Sequence, residues 1–137
     1  MQAKNMKKLY YLFWTVSLLV LFSFQCSKEA DYAEFTGKIA LEGICGRTVV
    51  TITSGNLAQL PANTYAASWQ DPTTGIAYQD VFLIANICQL QPVLKKDDII
   101  TFRVHPQPDT TCITCLAYSP APTQQLPIEI FSHSPRG

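Results

Sequence analysis

Glu34-Phe35-Thr36-Gly37-Lys38-Ile39-Ala40-Leu41-Glu42 and, four residues on, Arg47-Thr48-Val49-Val50-Thr51-Ile52-Thr53 are the stretches whose reading decides the fold. In the first, Phe35, Ile39 and Leu41 share one face with Gly37, while Glu34, Lys38 and Glu42 share the other. A period of two marks a half-buried strand, because successive side chains leave a pleated backbone on opposite sides. The second stretch is β-branched almost throughout, which suits a pleated surface. Gly43 and Gly46 bracket the link between them. The pair therefore reads as a hairpin with Cys45 near its tip.

Downstream, Ser54-Gly55-Asn56 and Pro61-Ala62-Asn63 mark loops,. Tyr65 to Gln70 reads as a short strand carrying Trp69. Asp71-Pro72-Thr73-Thr74-Gly75 is a turn, since proline presets φ and glycine permits φ > 0,. The chain returns as a strand over Ile76 to Ile87, and Val81-Phe82-Leu83-Ile84-Ala85 is apolar on both faces, as a central strand requires,. A single helical turn fits Leu90 to Lys95, and Lys95-Lys96-Asp97-Asp98 turns into a strand, Ile99 to Val104. In that strand Ile100, Phe102 and Val104 point inward. A proline-rich loop from His105 to Thr111 leads to a short strand over Ile113 to Tyr118. Leu126 to Phe131 closes the domain, with Pro127 placing it at an edge, and Ser132 to Gly137 reads as a loose tail,.

Six to seven antiparallel strands in this length predict an all-β domain: a small sandwich or a partly open barrel, with an OB-like layout among the options. A simple up-and-down meander puts Cys45 and the loop carrying Cys112 and Cys115 at one end and Cys88 at the other. That order favours Cys45 pairing with Cys112 or Cys115. A crossover through the Ser54–Thr64 loop would reverse this placement.

The N-terminus has a different character. Lys4, Lys7 and Lys8 precede an uncharged apolar run from Leu9 to Phe24, and polarity returns at Gln25-Cys26-Ser27-Lys28-Glu29. A positive head, apolar middle and polar exit form a secretory signal, here a signal helix over residues 1–25. The run is slightly short for a membrane span, which takes about 20 residues, and an uncleaved anchor is the alternative to a cleaved signal. The expected order is a signal peptide over 1–25, a polar tether over 26–33, the β domain over 34–131 and a tail over 132–137.

Removing the signal leaves about 110 residues, the size of one domain,. Seven cations then face ten acids, for a net charge of −3. A mildly acidic domain whose only basic pair, Lys95-Lys96, is followed by Asp97-Asp98 lacks the clustered cations that phosphate binding needs, so no nucleic-acid partner is expected,.

Cysteine carries most of the chemical content. Beyond Cys26 the chain holds Cys45, Cys88, Cys112 and Cys115. An even set in a small exported domain reads as two disulfides, and four cysteines allow three pairings. Cys112-Ile113-Thr114-Cys115 also has the spacing of a redox dithiol. Thiol–disulfide exchange, however, wants a thiolate at a helix N-terminus or beside a cation, and Pro120 and Pro122 follow too closely for a helix,. A zinc knuckle wants two close pairs, whereas this chain has one pair and two distant singles. No metal or cofactor is expected, and no catalytic residue is assigned. His105 reads as the solvent-facing end of a strand, and His133 falls in the tail. Asp71, Asp80, Asp97 and Asp98 are turn residues without calcium-loop spacing. Tyr65, Trp69 and Tyr78 flank one hairpin and form the candidate binding surface, with plain packing as the blander use of the same aromatics.

Ser23-Phe24-Gln25-Cys26 resembles a loose lipobox, with Ser23 and Gln25 where the strict pattern has Leu and a small residue. Together with Gly37 to Arg47, Ser68 to Gly75, Ala85 to Cys88 and Cys112 to Tyr118, it makes the chain similar to small Bacteroidetes lipoproteins over most of residues 34 to 131. The resemblance implies lipid attachment at Cys26 and an envelope location, with Ser27 pointing to the outer membrane and the domain facing either the periplasm or the exterior. It brings no activity with it. The expected function is a lipid-anchored, non-catalytic binding or structural module, its partners the membrane itself and an envelope protein or glycan. The alternative is a thiol–disulfide oxidoreductase using Cys112 and Cys115.

Overall fold

The alternating and β-branched segments fold into strands where their pattern places them. The computed structural model describes residues 32–91, 93–106 and 118–136. Tyr32–Gly137 forms one compact unit. The strands are β1 (Phe35–Glu42), β2 (Thr48–Ser54), β3 (Ala66–Gln70), β4 (Ala77–Ile84), β5 (Ile99–Val104), β6 (Gln125–Leu126) and β7 (Ile128–Ser134). Short 3-10 turns at Ile44–Gly46, Leu57–Gln59 and Ile87–Gln89 are the only helical elements among the described residues. The expected turn at Leu90 to Lys95 is thus replaced by one that begins three residues earlier, directly after β4. No helix among the described residues is long and apolar enough to cross a membrane. The apolar run 9–24 and the expected strand over 113–118, except Tyr118, lie outside the described residues.

All seven strands belong to one sheet, ordered β3-β4-β2-β1-β5-β7, with β6 pairing β4 in parallel. The other pairings are antiparallel. The meander expectation fails at two points, the first being that β5 pairs with β1 rather than β4. The second is that β2 pairs with β4 rather than β3, so the Ser54–Thr64 segment is a crossover. The reason for the second is burial. β4 is apolar on both faces and gains most between two neighbours, whereas Ala66–Gln70 is largely exposed and suits an edge,.

One segment links β4, near one end of the sheet, to β5, near the other. Pro127 alone separates β6 from β7, so consecutive residues bond first to β4 and then to β5. Gln124 O accepts from Leu83 N at 2.9 Å, Leu126 O from Ala85 N at 3.1 Å and Pro127 O from His105 N at 2.9 Å. Pro127, which has no N–H, sits at the break where none is needed. The result is a partly open barrel. Taking β6 and β7 as one kinked strand, its layout is compatible with the OB arrangement, and layout carries no function. β7 runs to Ser134, so three residues assigned to the tail are strand.

The interior holds Phe35, Ile39, Val50, Ile52, Phe82, Ile84, Ile100, Phe102, Leu126 and Ile128. Phe102 is central, its ring centroid 5.7 Å from Phe35 and 5.5 Å from Phe82. Gly37 makes room for this packing. A Cβ there would lie 2.6 Å from Val50 Cγ1 and 3.1 Å from Phe102 Cε1. A smaller cluster of Ala40, Val49, Val81 and Leu83 occupies the other face of the sheet. The expected alternation of β1 breaks here. A bulge between Ile39 and Leu41 shifts the register, and Leu41 joins Ala40 in the outer cluster rather than Phe35 in the inner one,.

Candidate functional site

The β3–β4 hairpin carries the aromatic residues singled out in the sequence. Its turn is built by Asp71, whose side chain accepts from Thr73 N at 2.9 Å and Thr74 Oγ1 at 2.7 Å. These two bonds, led by Thr74, hold the Asp71 carboxyl below its ordinary 3.8. The backbone closes the turn through Gly75 N to Asp71 O at 2.8 Å. In the hairpin Trp69 sits opposite Tyr78 and Ser68 opposite Gln79. Trp69 and Tyr78 stack, with centroids 6.1 Å apart and ring planes at 25°.

Simple alternation would put Tyr78 on the barrel side with Phe82. Asp80, with φ +49°, resets the phase of β4, so Tyr78 and Trp69 share a face with Val81 and Leu83. Asp80 is therefore a strand irregularity rather than a turn residue. Trp69 and Tyr78 are half-buried, and Ile76 at the turn is 50% exposed. Tyr65 parts company with them. It packs against the inner cluster, so the three-residue surface reduces to Trp69 and Tyr78.

The cysteines divide by what is described. Cys45 and Cys88 are exposed and each is disulfide-bonded. The crossover through Ser54–Thr64 puts both at the same end of the sheet, where β1 turns into β2 and β4 ends, in contrast to the meander expectation. The two tips touch: a Cβ at Gly46 would lie 2.8 Å from Ile87 Cγ2. Cys26, Cys112 and Cys115 lie outside the described residues.

Three polar constellations were missed by sequence reasoning. Asn86, 1% exposed, bonds both ways to the backbone of Ile128, its Nδ2 donating to the carbonyl at 2.9 Å and its Oδ1 accepting from the N–H at 2.9 Å. It acts as one more rung of the ladder where β4 has already ended. Asn86 also borders a surface groove of about 270 Å³ lined with Gln89, Leu90, Gln91, His105, Glu129 and Ile130. His105 is half-buried here rather than solvent-facing.

The second constellation joins Asp98 to the C-terminal strand. His133, placed in β7 and not in a tail, meets Asp98 Oδ2 at 2.7 Å. The same oxygen accepts from Lys95 N at 2.9 Å, and Oδ1 accepts from Arg136 N at 3.2 Å. The His133 contact, then the Lys95 amide, hold the Asp98 carboxyl below its ordinary 3.8. Both oxygens of this buried carboxylate meet partners that tie down chain, which is the pattern of a structural clasp,.

The third lies on the outer face of β5 and β7. Arg103 donates to Glu129 Oε2 through Nε and Nη2, both at 2.8 Å. Its guanidinium carbon lies 5.0 Å from the Tyr32 ring centroid and 4.6 Å from that of Phe131. No residue pattern in the sequence announces this sandwich, because Tyr32, Arg103 and Phe131 meet only through strand pairing. Among the described residues no group of His, Cys, Asp and Glu is placed to hold a metal.

Fold and sites together define a small, partly open β-barrel with exposed aromatic features. Comparison with protein-family models, with characterised proteins and with solved structures finds no match for this chain.

Proposed function

We propose that the chain is a lipid-anchored cell-envelope lipoprotein whose barrel binds a partner rather than catalysing a reaction. Cys26 is the acylated residue, and the Trp69–Tyr78 face of the hairpin is the recognition surface for an envelope glycan or protein. The observation that carries the binding half is the stacked pair itself. Two aromatic rings are held by the strand register on an edge hairpin and left half-exposed beside Ile76. Such faces serve sugars and apolar protein surfaces alike, because they offer large apolar area with little side-chain entropy to lose. The anchoring half is supported by the layout of residues 1–29 and by the disulfide state of two exposed cysteines, Cys45 and Cys88,. Two or three acyl chains on Cys26 would give durable attachment, at about 0.8 kcal/mol per buried CH₂.

Intact mass of the protein purified from membranes tests the anchor. Loss of residues 1–25 and the added mass of acyl chains are expected, and a mass equal to the unmodified chain rejects it. Titration of the Trp69 fluorescence with soluble peptidoglycan fragments tests the glycan surface: a saturable response that Tyr78→Ala weakens is expected, and no saturable response rejects it. The thiol–disulfide exchange alternative rests on Cys112 and Cys115. Insulin reduction that disappears in Cys112→Ser would replace the binding reading with that enzyme.

A further inference from the structure

We infer that the Tyr32–Arg103–Phe131 face is the side on which the domain rests against the bilayer. This inference depends on the anchor at Cys26 proposed above and adds an orientation to it. Five residues lie between Cys26 and Tyr32, and the six steps of extended chain that join them reach at most about 20 Å,. Whatever face Tyr32 occupies must therefore stay near the headgroups.

That face has the chemistry of a membrane interface. Tyr32 and Phe131 are each 48% exposed although aromatic, and Arg103 lies between their rings. Aromatic rings with one wet edge settle at headgroup level. A guanidinium held there can meet lipid phosphates while its stem packs on the rings. Along the same outer face Ile99 is 44% exposed, and Thr101 lies between Thr36 and Ser132 in register. The Arg103–Glu129 and Lys38–Asp97 pairs are each neutral, and exposed Glu34 adds one carboxylate just before β1, so the contact rests on the aromatic rings rather than on net charge. β1 begins three residues after Tyr32, and its 8 residues carry the Ile44–Gly46 tip about 25 Å along the strand from that end,.

The test uses acylated protein produced from the full chain and reconstituted in phosphatidylethanolamine/phosphatidylglycerol vesicles, some of whose lipids carry bromine on the acyl chain near the headgroup. In a Trp69→Phe background, with Trp14 removed along with the signal, Phe131→Trp places the reporter on the proposed face and Ile44→Trp places it at the far tip, where Ile44 is 61% exposed. Brominated lipid should lower the Phe131→Trp emission about twofold and leave the Ile44→Trp emission unchanged, since interfacial side chains sit within bromine contact range. Tyr32→Trp gives a second reporter on the same face should Phe131→Trp fold poorly. Equal quenching at both ends, quenching only at Ile44→Trp, or none at all in protein of acylated mass overturns the orientation and leaves the anchor standing. Protein of unmodified mass that does not float with vesicles overturns both.

Discussion

The two apolar clusters of this barrel share β1, β2 and β4 and behave differently. The inner cluster around Phe102 draws on β1, β2, β4, β5, β6 and β7 and excludes water almost completely. The outer cluster around Val81 and Leu83 is roofed on one side by Trp69 and Tyr78, which remain half-exposed. The difference shows that β4, apolar on both sides, serves two purposes at once. One row of its side chains fills the interior, and the other supports a hairpin whose aromatic face stays half-exposed.

The largest expected effect sharpens that contrast. Phe102→Ala removes the ring that joins Phe35 to Phe82, and urea unfolding should show a loss of about 3–5 kcal/mol,. Asn86→Ala is next. It strips the Ile128 N–H and C=O of their buried partner, for an expected loss of about 2–3 kcal/mol in the same assay,. Trp69→Ala should cost only about 1–2 kcal/mol, because the side chain is already half in water,. A loss as large as that for Phe102→Ala would break the comparison and make the hairpin plain core.

The smallest effect is read by pH. The folded Asp98 carboxyl titrates below its ordinary 3.8, so the unfolded chain takes up a proton first as the solution is acidified,. Its stabilising contribution is therefore complete above about pH 5 and fades as pH falls through about 4 toward the lower folded value. The gap in melting temperature between the wild type and Asp98→Asn should shrink between about pH 6 and about pH 3. A gap that stays constant would show that the clasp does not depend on the carboxylate charge. The Lys38–Asp97 pair, 2.7 Å long with both side chains about two-fifths exposed, should contribute little in comparison,.

Legibility in the sequence followed the range of the interaction. β1, β2 and β5 were legible because their face is set by side chains two residues apart. The Asp71 turn was legible because proline and glycine act on their own φ. Trp69 and Tyr78 were found as a pair because a tight turn joins them. Of the three aromatics, Tyr65 takes the packing use that the sequence also allowed, because alternation says nothing about which side of an edge strand the adjoining loop covers. The phase resets at Asp80 and at the Ile39–Leu41 bulge were invisible, since each depends on how a strand twists against its neighbours.

By itself the sequence determined an all-β domain of about seven strands, the split between a positively headed apolar N-terminus and an acidic body, and the positions of the turns. These are local properties, written in period, charge and backbone preference. Tertiary structure alone decided that β2 would pair with β4, that Asn86 would serve as a rung for Ile128, that His133 would clasp Asp98, and that Arg103 would lie between Tyr32 and Phe131. Each of these joins residues distant in the chain. They form only once burial of the two-faced β4 has fixed the order of the strands.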